Sequence, residues 1–338
     1  MSFDRYSRQK LFRPIGEEGQ EKLKAKHVLF IGSGALGTSN AEQLVRAGVG
    51  KVTIVDRDYV EWSNLQRQQL FTEKDASQRI PKAKAAEIKL KEINTEVEIN
   101  AHILDVQREE LEGLIGGVDL VLDGTDNFDT RMLINDICQK YNTPWIYGGC
   151  VGSHGMSYTI VPGETPCLGC LLQSVPISGA TCDTAGVISP AVQMVTAHQA
   201  AEALKILVED KSALIGRFIT FDLWNHHYTK MKVARAKRGD CPSCGVKPTY
   251  PYLSPDHQTK TAVLCGRDTV QIRPPYKIER NLDEIRASLI EGQVEQNPFL
   301  LSYKRDNYRM VFFKDGRVFI HGTKDISEAR SLYYQILG

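Results

Sequence analysis

Apolar and polar positions along the first half of the chain predict strands that alternate with helices. An apolar run at 27–31 is followed by a glycine-rich turn at 32–37, and then by apolar residues at helical spacing up to Val49. The next apolar run, 52–55, ends at Asp56. Further strands are predicted at 97–101 and 118–122, and further helices at 83–93, 109–115 and 130–141. This alternation predicts an α/β fold with a doubly wound, mostly parallel sheet.

The pattern changes after the first 150 residues. Apolar runs at 155–161 and 217–233 predict antiparallel additions to the sheet, and a helix is predicted between them at 191–208. Glu202 and Lys205 interrupt the apolar face of this helix. Because hydrocarbon tolerates such side chains poorly, the helix is predicted to lie in the core of the protein and not in a membrane.

A proline-rich stretch divides the remaining sequence. Prolines 248, 251 and 255 disfavour regular structure, so residues 246–260 are predicted to link a first domain, 1–245, to a small α+β domain, 261–338. In the small domain we expect a strand at 261–272, a helix at 282–290, a hairpin at 309–320 around Gly316, and a last helix capped by Asp325.

Composition and charge narrow the classes of partner. The chain has 338 residues, with 42 lysines and arginines against 41 aspartates and glutamates. Because no basic or acidic tract is present, long-range attraction to a nucleic acid is not expected. The first residues lack the apolar core of a secretory signal, which predicts a cytoplasmic location. In that reducing compartment the eight cysteines are not expected to form disulfides.

The glycine-rich turn indicates a nucleotide site of Rossmann-like type. Gly32, Gly34 and Gly37 form a GxGxxG pattern between a strand and a helix, and Asp56 follows about 20 residues later. Such a turn lets backbone N–H groups approach phosphate oxygens, while the acidic residue accepts from ribose hydroxyls. A purely structural turn is the alternative. The pattern alone leaves the nucleotide open, and an NAD-dependent oxidoreductase would also fit it.

Charged and amide residues after successive strands favour a triphosphate. Asn64 and Arg67 lie beyond the second strand, Lys82 begins the next helix, and Asp126 follows the strand at 118–122. Hydride transfer needs no metal, whereas nucleotidyl transfer needs a carboxylate that holds Mg²⁺ and cations that spread phosphoryl charge. We therefore expect ATP and Mg²⁺ at this edge, with Asp126 as the magnesium ligand.

Two CxxC pairs predict a zinc site. The four cysteines are Cys167, Cys170, Cys241 and Cys244. Two such pairs supply the four thiolates that Zn²⁺ prefers, and the complete tetrahedral set indicates a structural metal. The alternatives are free core thiols or a redox pair.

These motifs together resemble the ubiquitin-activating superfamily, in particular the bacterial ThiF/MoeB enzymes. The resemblance covers residues 1 to about 245 and is carried, in order, by RYSRQ (5–9), GSGALG (32–37), Asp56, NLQRQ (64–68), Lys82, GTDN (124–127) and the two CxxC pairs. It implies the fold of ubiquitin-activating enzymes. Residues from Thr261 onward also resemble the tail of some thiazole-biosynthesis members of the family.

The resemblance implies that ATP and Mg²⁺ are used to adenylate the C-terminal glycine of a ubiquitin-like sulfur carrier. Asp56 would then hold the ribose, Arg67 and Lys82 would contact phosphates with Asn64 nearby, and Asp126 would organise Mg²⁺. A carrier of the thiazole pathway is the leading expectation. A carrier of molybdopterin synthase is the closest alternative, and a non-catalytic scaffold is a third.

The resemblance also implies partners. Arg8 would reach the partner subunit's site as an arginine finger, which requires a homodimer. Cys182 matches a crossover-loop cysteine that can bond the carrier, although a bystander thiol is also possible. No rhodanese-like module follows the motifs, so a separate sulfur donor is expected. Cys138, Cys150 and Cys265 are predicted to be core residues.

Overall fold

The chain divides into two compact units. The computed structural model describes residues 4–173, 185–254, 261–263, 268–274, 278–289 and 291–337. The first unit is Met1–His257 and the second is Gln258–Gly338, so the division falls inside the stretch predicted to be a linker. Among the described residues, no helix has both the length and the apolar character needed to cross a membrane.

The first unit is built on an eight-stranded sheet with the order β3-β2-β1-β4-β5-β6-β7-β8. Its strands are β1 (His27–Ile31), β2 (Lys51–Asp56), β3 (Glu98–Ile103), β4 (Leu120–Asp123), β5 (Trp145–Val151), β6 (His154–Ile160), β7 (Phe218–Asp222) and β8 (His227–Met231). The first five are parallel, and the last three are antiparallel. The predicted doubly wound sheet with antiparallel additions is confirmed.

Helices cover this sheet. They are α1 (Ser7–Lys10), α2 (Gly16–Lys24), α3 (Ala35–Ala47), α4 (Glu73–Ser77), α5 (Lys82–Ile93), α6 (Arg108–Leu114), α7 (Phe128–Lys140), α8 (Leu168–Leu172) and α9 (Ser189–Leu207). In β1, Val28 and Phe30 pack with α3 and α5, whereas Leu29 and Ile31 pack with α6 and α7. Because both faces of the strand are buried, its sequence is continuously apolar.

Part of the predicted linker packs against the first unit. A 3₁₀ turn at Pro251–Leu253 buries Leu253 in the core. Its backbone carbonyl accepts from Arg108 at 3.0 Å, and the Tyr252 N–H donates to Asp136 at 2.9 Å. Prolines exclude a long regular element here, but they leave the backbone able to dock through side-chain hydrogen bonds.

The second unit is a six-stranded antiparallel sheet with two helices, in the order β11-β12-β13-β14-β10-β9. The strands are β9 (Thr261–Val263), β10 (Thr269–Ile272), β11 (Gln293–Gln296), β12 (Leu300–Arg305), β13 (Tyr308–Phe313) and β14 (Val318–His321), and the helices are α10 (Leu282–Ser288) and α11 (Ile326–Leu337). The predicted α+β class and the hairpin around Gly316 are confirmed. Asp325 accepts from the N–H groups of Ser327 and Glu328, as predicted for the helix cap.

One strand prediction in this unit is wrong. Residues 261–272 form two strands and not one, because β9 and β10 pair antiparallel with Val263 opposite Val270. Apolar character alone does not show where a chain reverses.

Candidate active site and cysteine cluster

The glycine turn is packed backbone against backbone at the carboxyl end of β1. Gly32 has φ +92°, and a Cβ there would lie 2.6 Å from the Gly124 carbonyl oxygen. A Cβ on Gly37 would lie 1.9 Å from the Gly32 oxygen, so both positions require glycine. Gly34 caps α3 without a side-chain hydrogen bond, which leaves the first N–H groups of α3 open to an anion.

Asp56 connects this turn to the end of β2. Its carboxylate accepts from the Ser33 N–H at 2.6 Å and from the Asp58 N–H at 2.7 Å. Burial raises the pKa of Asp56, and the charge of Lys82 acts in the opposite direction. The carboxylate is thus fixed and partly desolvated, and its remaining lone pairs can accept from a hydroxyl.

Lys82 begins α5 and lies against Asp58. Its side chain is 7% exposed, and Nζ lies 3.0 Å from Asp58 Oδ2. The Lys82 N–H also donates to the Asp58 carbonyl oxygen at 2.9 Å. Asp58 therefore positions both the backbone N–H and the side-chain ammonium group of Lys82. Asp58 is not among the residues predicted from the sequence, although its place two residues after Asp56 was a signal.

The NLQRQ segment supplies a cation and two buried amides. Arg67 is half-buried and donates to the Ser63 carbonyl oxygen at 2.8 Å. Asn64 is buried, and its side chain accepts from the Glu61 N–H at 3.0 Å. Gln68 is buried with its amide nitrogen 4.0 Å from a Cβ placed on Gly34. The segment thus lies against the glycine turn, and Asn64 shapes the loop that carries Arg67.

A buried ion pair fixes the loop after β4. Asp123 Oδ2 lies 3.0 Å from Arg131 Nε, and the Arg131 guanidinium also donates to the carbonyl oxygens of Thr125, at 2.7 Å, and Gly148, at 3.0 Å. The N–H and the hydroxyl of Thr125 both donate to Asp123. Asp126, the next residue, is exposed. The loop therefore presents the Asp126 carboxylate to solvent on a rigid base.

These groups converge where the strand order changes direction. Strand β1 lies between β2 and β4, so the chain goes outward on either side of this point. Arg57, which directly follows β2, is close enough to feel the charge of Asp126, which follows β4. Burial opposes the charge of Arg57, but nearby carboxylates that include Asp105 and Asp126 raise its pKa. Ligands of doubly wound sheets bind in this kind of crevice. We call the group formed by residues 32–37, Asp56, Arg67, Lys82 and Asp126, together with the buried Asp123–Arg131 ion pair, the strand-end crevice.

Arg8 does not lie in this crevice. The neighbours of Arg8 in α1 contact the C-terminal end of α3, whereas the glycine turn is at the N-terminal end. Helix α3 has 13 residues. At 1.5 Å per residue its ends are about 20 Å apart, a distance that no side chain spans. Cys182 lies outside the described residues, as does Cys265.

The two CxxC pairs lie together and form the cysteine cluster. The four Sγ atoms of Cys167, Cys170, Cys241 and Cys244 are all within 4.8 Å of one another. Two Sγ–Sγ distances are 3.6 Å, far above the ~2.05 Å of a disulfide. Tetrahedral Zn²⁺ with Zn–S bonds of about 2.3 Å places sulfurs about 3.8 Å apart, so these residues fit the metal.

The other described cysteines are core residues, as predicted. Cys138 and Cys150 are both buried. Burial raises the pKa of Cys138 well above that of an exposed thiol. Among the residues that the structure describes, neither cysteine belongs to a group of side chains that could hold a metal ion.

Comparison with known proteins supports the resemblance. The chain is 51% identical over 336 residues to a sulfur carrier protein ThiS adenylyltransferase of Bacillus subtilis, covering 99% of both chains. It is 37% identical to a sulfur carrier protein adenylyltransferase of Thermus thermophilus, covering 74% of this chain and 93% of that one. The solved structure of E. coli MccB has a similar fold, with a TM-score of 0.63 and 22% identity over 73% of this chain and 74% of that one. Residues 6–243 match the ThiF family, and this chain therefore belongs to the ThiF family.

Proposed function

We propose that this chain is an ATP-dependent adenylyltransferase that activates the C-terminal glycine of a ubiquitin-like sulfur carrier. The products would be carrier acyl-AMP and pyrophosphate. The observation that carries this proposal is the 51% identity to the ThiS adenylyltransferase, which extends over 99% of both chains and so includes the second unit. For that reason we favour a carrier of the thiazole pathway over one of molybdopterin synthase.

The strand-end crevice offers a complementary group for each part of ATP. Backbone N–H groups of the bare glycine turn and of α3 would bind phosphate oxygens. Asp56 would accept from the ribose, while Arg67 and Lys82 would contact phosphates. Asp126 would hold Mg²⁺, which neutralises phosphoryl charge when it is bound. Asn64 would act through the loop that presents Arg67.

The cations of the crevice suit nucleotidyl transfer. The carboxylate of the carrier's last glycine attacks the α-phosphorus, and pyrophosphate leaves. Negative charge then grows on the leaving group, and positive side chains placed there stabilise the transition state more than the ground state. Asp58 holds Lys82 in place before ATP arrives, so little reorganisation is needed.

Arg8 would complete the site of a partner subunit in a homodimer. Helix α3 separates Arg8 from the glycine turn of its own chain by about 20 Å, so an active-site role requires a second copy. Sulfur would come from a separate donor protein. Because the reaction consumes ATP, we place the enzyme in the cytoplasm.

The cysteine cluster would hold one structural Zn²⁺. Its paired sulfurs come from segments 74 residues apart, so a bound metal joins distant parts of the first unit. Cys182 remains a prediction as the carrier-bonding thiol, and the proposed adenylation does not depend on it.

Pyrophosphate-dependent ATP exchange tests the proposal. Exchange that appears only with a carrier ending in Gly-Gly is the expected result. Comparison of a thiazole-pathway carrier with a molybdopterin-synthase carrier then identifies the preferred substrate. Absence of exchange with both carriers, together with quenching of nicotinamide fluorescence, would contradict the proposal and favour an oxidoreductase.

A further inference from the structure

The segment that carries Arg8 is held on the protein by a tyrosine. Tyr6 is buried; its hydroxyl accepts from Asn94 Nδ2 at 2.9 Å and lies 3.2 Å from Glu96 Oε2. Its ring occupies the space beside Gly48, where a Cβ would lie 2.5 Å from the ring. Asn94 also donates to the Val45 carbonyl oxygen at 2.9 Å, so one amide links Tyr6 to the end of α3.

A glutamine makes a second attachment. Gln9 Nε2 donates to the Ala47 carbonyl oxygen at 2.9 Å and to Gln20 Oε1 at 2.7 Å. Gln20 is fully buried and donates to the same Ala47 oxygen at 3.0 Å. The last carbonyl groups of a helix lack intrahelical partners, so the two glutamines satisfy one such group at the end of α3.

Arg8 lies between these two attachments and faces away from them. Tyr6 and Gln9 are three residues apart, which places them on one side of a helical turn. Arg8 is exposed. The buried hydrogen bonds on one side therefore fix the backbone from which the guanidinium extends on the other.

We propose that Tyr6 and Gln9 are positioning residues that hold Arg8 in the geometry needed by the partner subunit's active site. The inference rests on the proposed function, in which Arg8 acts across a homodimer. It adds that the defect of a Tyr6 variant appears in the other subunit and not in the subunit that carries the substitution. A residue that only stabilises its own chain would have the opposite effect.

Mixed dimers of full-length chains test this directly. One chain carries Tyr6→Ala and the other carries Asp126→Ala, each with a different affinity tag, and mixed dimers are purified through both tags. The site in the Tyr6→Ala chain then receives Arg8 from a chain whose Tyr6 is intact. One of two equivalent sites is complete, so we expect about half of the parent exchange rate. Each homodimer is expected to lose about 10²-fold, since small misplacements of a catalytic group are that costly.

Further variants make the result decisive. Mixed dimers of Arg8→Ala with Asp126→Ala test the proposed role of Arg8 by itself. Gln9→Ala removes the second attachment and should reproduce the Tyr6→Ala pattern, which covers the case in which Tyr6→Ala folds poorly. Tyr6→Phe, which keeps the ring, should retain most activity. Tyr141→Ala, at an exposed tyrosine outside the site, is the matched control and should exchange like the parent.

Two results would overturn the inference and are distinguishable. If mixed dimers with Asp126→Ala recover exchange for Arg8→Ala but not for Tyr6→Ala or Gln9→Ala, the two positioning residues act within their own chain, while the proposed function stands. If mixed dimers of Arg8→Ala with Asp126→Ala do not recover exchange, Arg8 does not act across the dimer. The proposed role of Arg8 and the positioning role of Tyr6 and Gln9 would then fail together.

Discussion

The strand-end crevice and the cysteine cluster belong to the same unit but differ in how they depend on solvent. Asp126 is exposed and Arg67 is half-buried, so both charges are in contact with solvent. In the cysteine cluster, three of the four thiols are buried, and the sulfurs join segments 74 residues apart. Removing an exposed charge leaves a solvated surface, whereas removing a buried ligand leaves an incomplete site in the core. The first change should therefore alter the rate of the reaction, and the second should alter the stability of the protein.

The largest effect is expected for Cys241→Ser. Metal analysis should find one zinc per parent chain, and the variant should lose the metal and melt at a lower temperature. Zinc stabilises small zinc peptides by about 10 kcal/mol or more, and a sizeable part of such a contribution would be lost here. Cys138→Ser is the control, since this buried thiol lies outside the cluster and its variant should keep the metal. A parent protein without zinc would refute the assignment.

The second prediction concerns Arg131→Met. Arg131 belongs to a buried ion pair of the crevice, so its substitution should lower stability, as substitution in the cysteine cluster should. Asp123 is fully buried, so the variant leaves a buried carboxylate without its cation. Loss of one partner of a buried pair costs about 3–5 kcal/mol. Urea denaturation should show this decrease in the free energy of unfolding.

Arg46→Met is the matched control for this experiment. Its ion pair with Glu42 lies on the surface, and such pairs contribute little. A similar loss of stability in both variants would mean that burial does not distinguish the two ion pairs.

The third prediction is made for Asp126→Ala and Arg67→Ala. Each should reduce pyrophosphate exchange by about 10²-fold or more, because each removes a group that stabilises charge in the transition state. The melting temperature should stay near that of the parent, since Asp126 is exposed and Arg67 is only partly buried. Unchanged exchange in both variants would contradict the ATP site. A large fall in melting temperature would mean that these crevice residues stabilise the fold as the cysteine cluster does.

The place of the crevice residues at the strand ends can be predicted from the sequence because the signals are local. An apolar strand, a glycine turn and a charged residue after each strand can all be read within short windows. Asp58 and Arg131 were missed because their roles depend on contacts with Lys82 and Asp123 that only the folded chain brings together. Helix α1 was also not predicted. It has four residues and buries none of them, so its sequence shows no apolar periodicity.

The smallest effect is expected for Cys182→Ala. Adenylation needs only ATP, Mg²⁺ and the carboxylate of the carrier, so a thiol has no part in it and the variant should exchange pyrophosphate like the parent. A thiol can act only once the carrier is activated: the Cys182 thiolate, the reacting form of the side chain, would attack the acyl-AMP carbonyl carbon, form a thioester and release AMP. Mass spectrometry of the enzyme incubated with carrier, ATP and a sulfur donor should locate any thiol-sensitive adduct at Cys182. An adduct that survives in the variant would mean that another cysteine reacts. A parent enzyme that forms no adduct would favour a carrier of the molybdopterin type, for which adenylation in the crevice needs no carrier-bonding thiol.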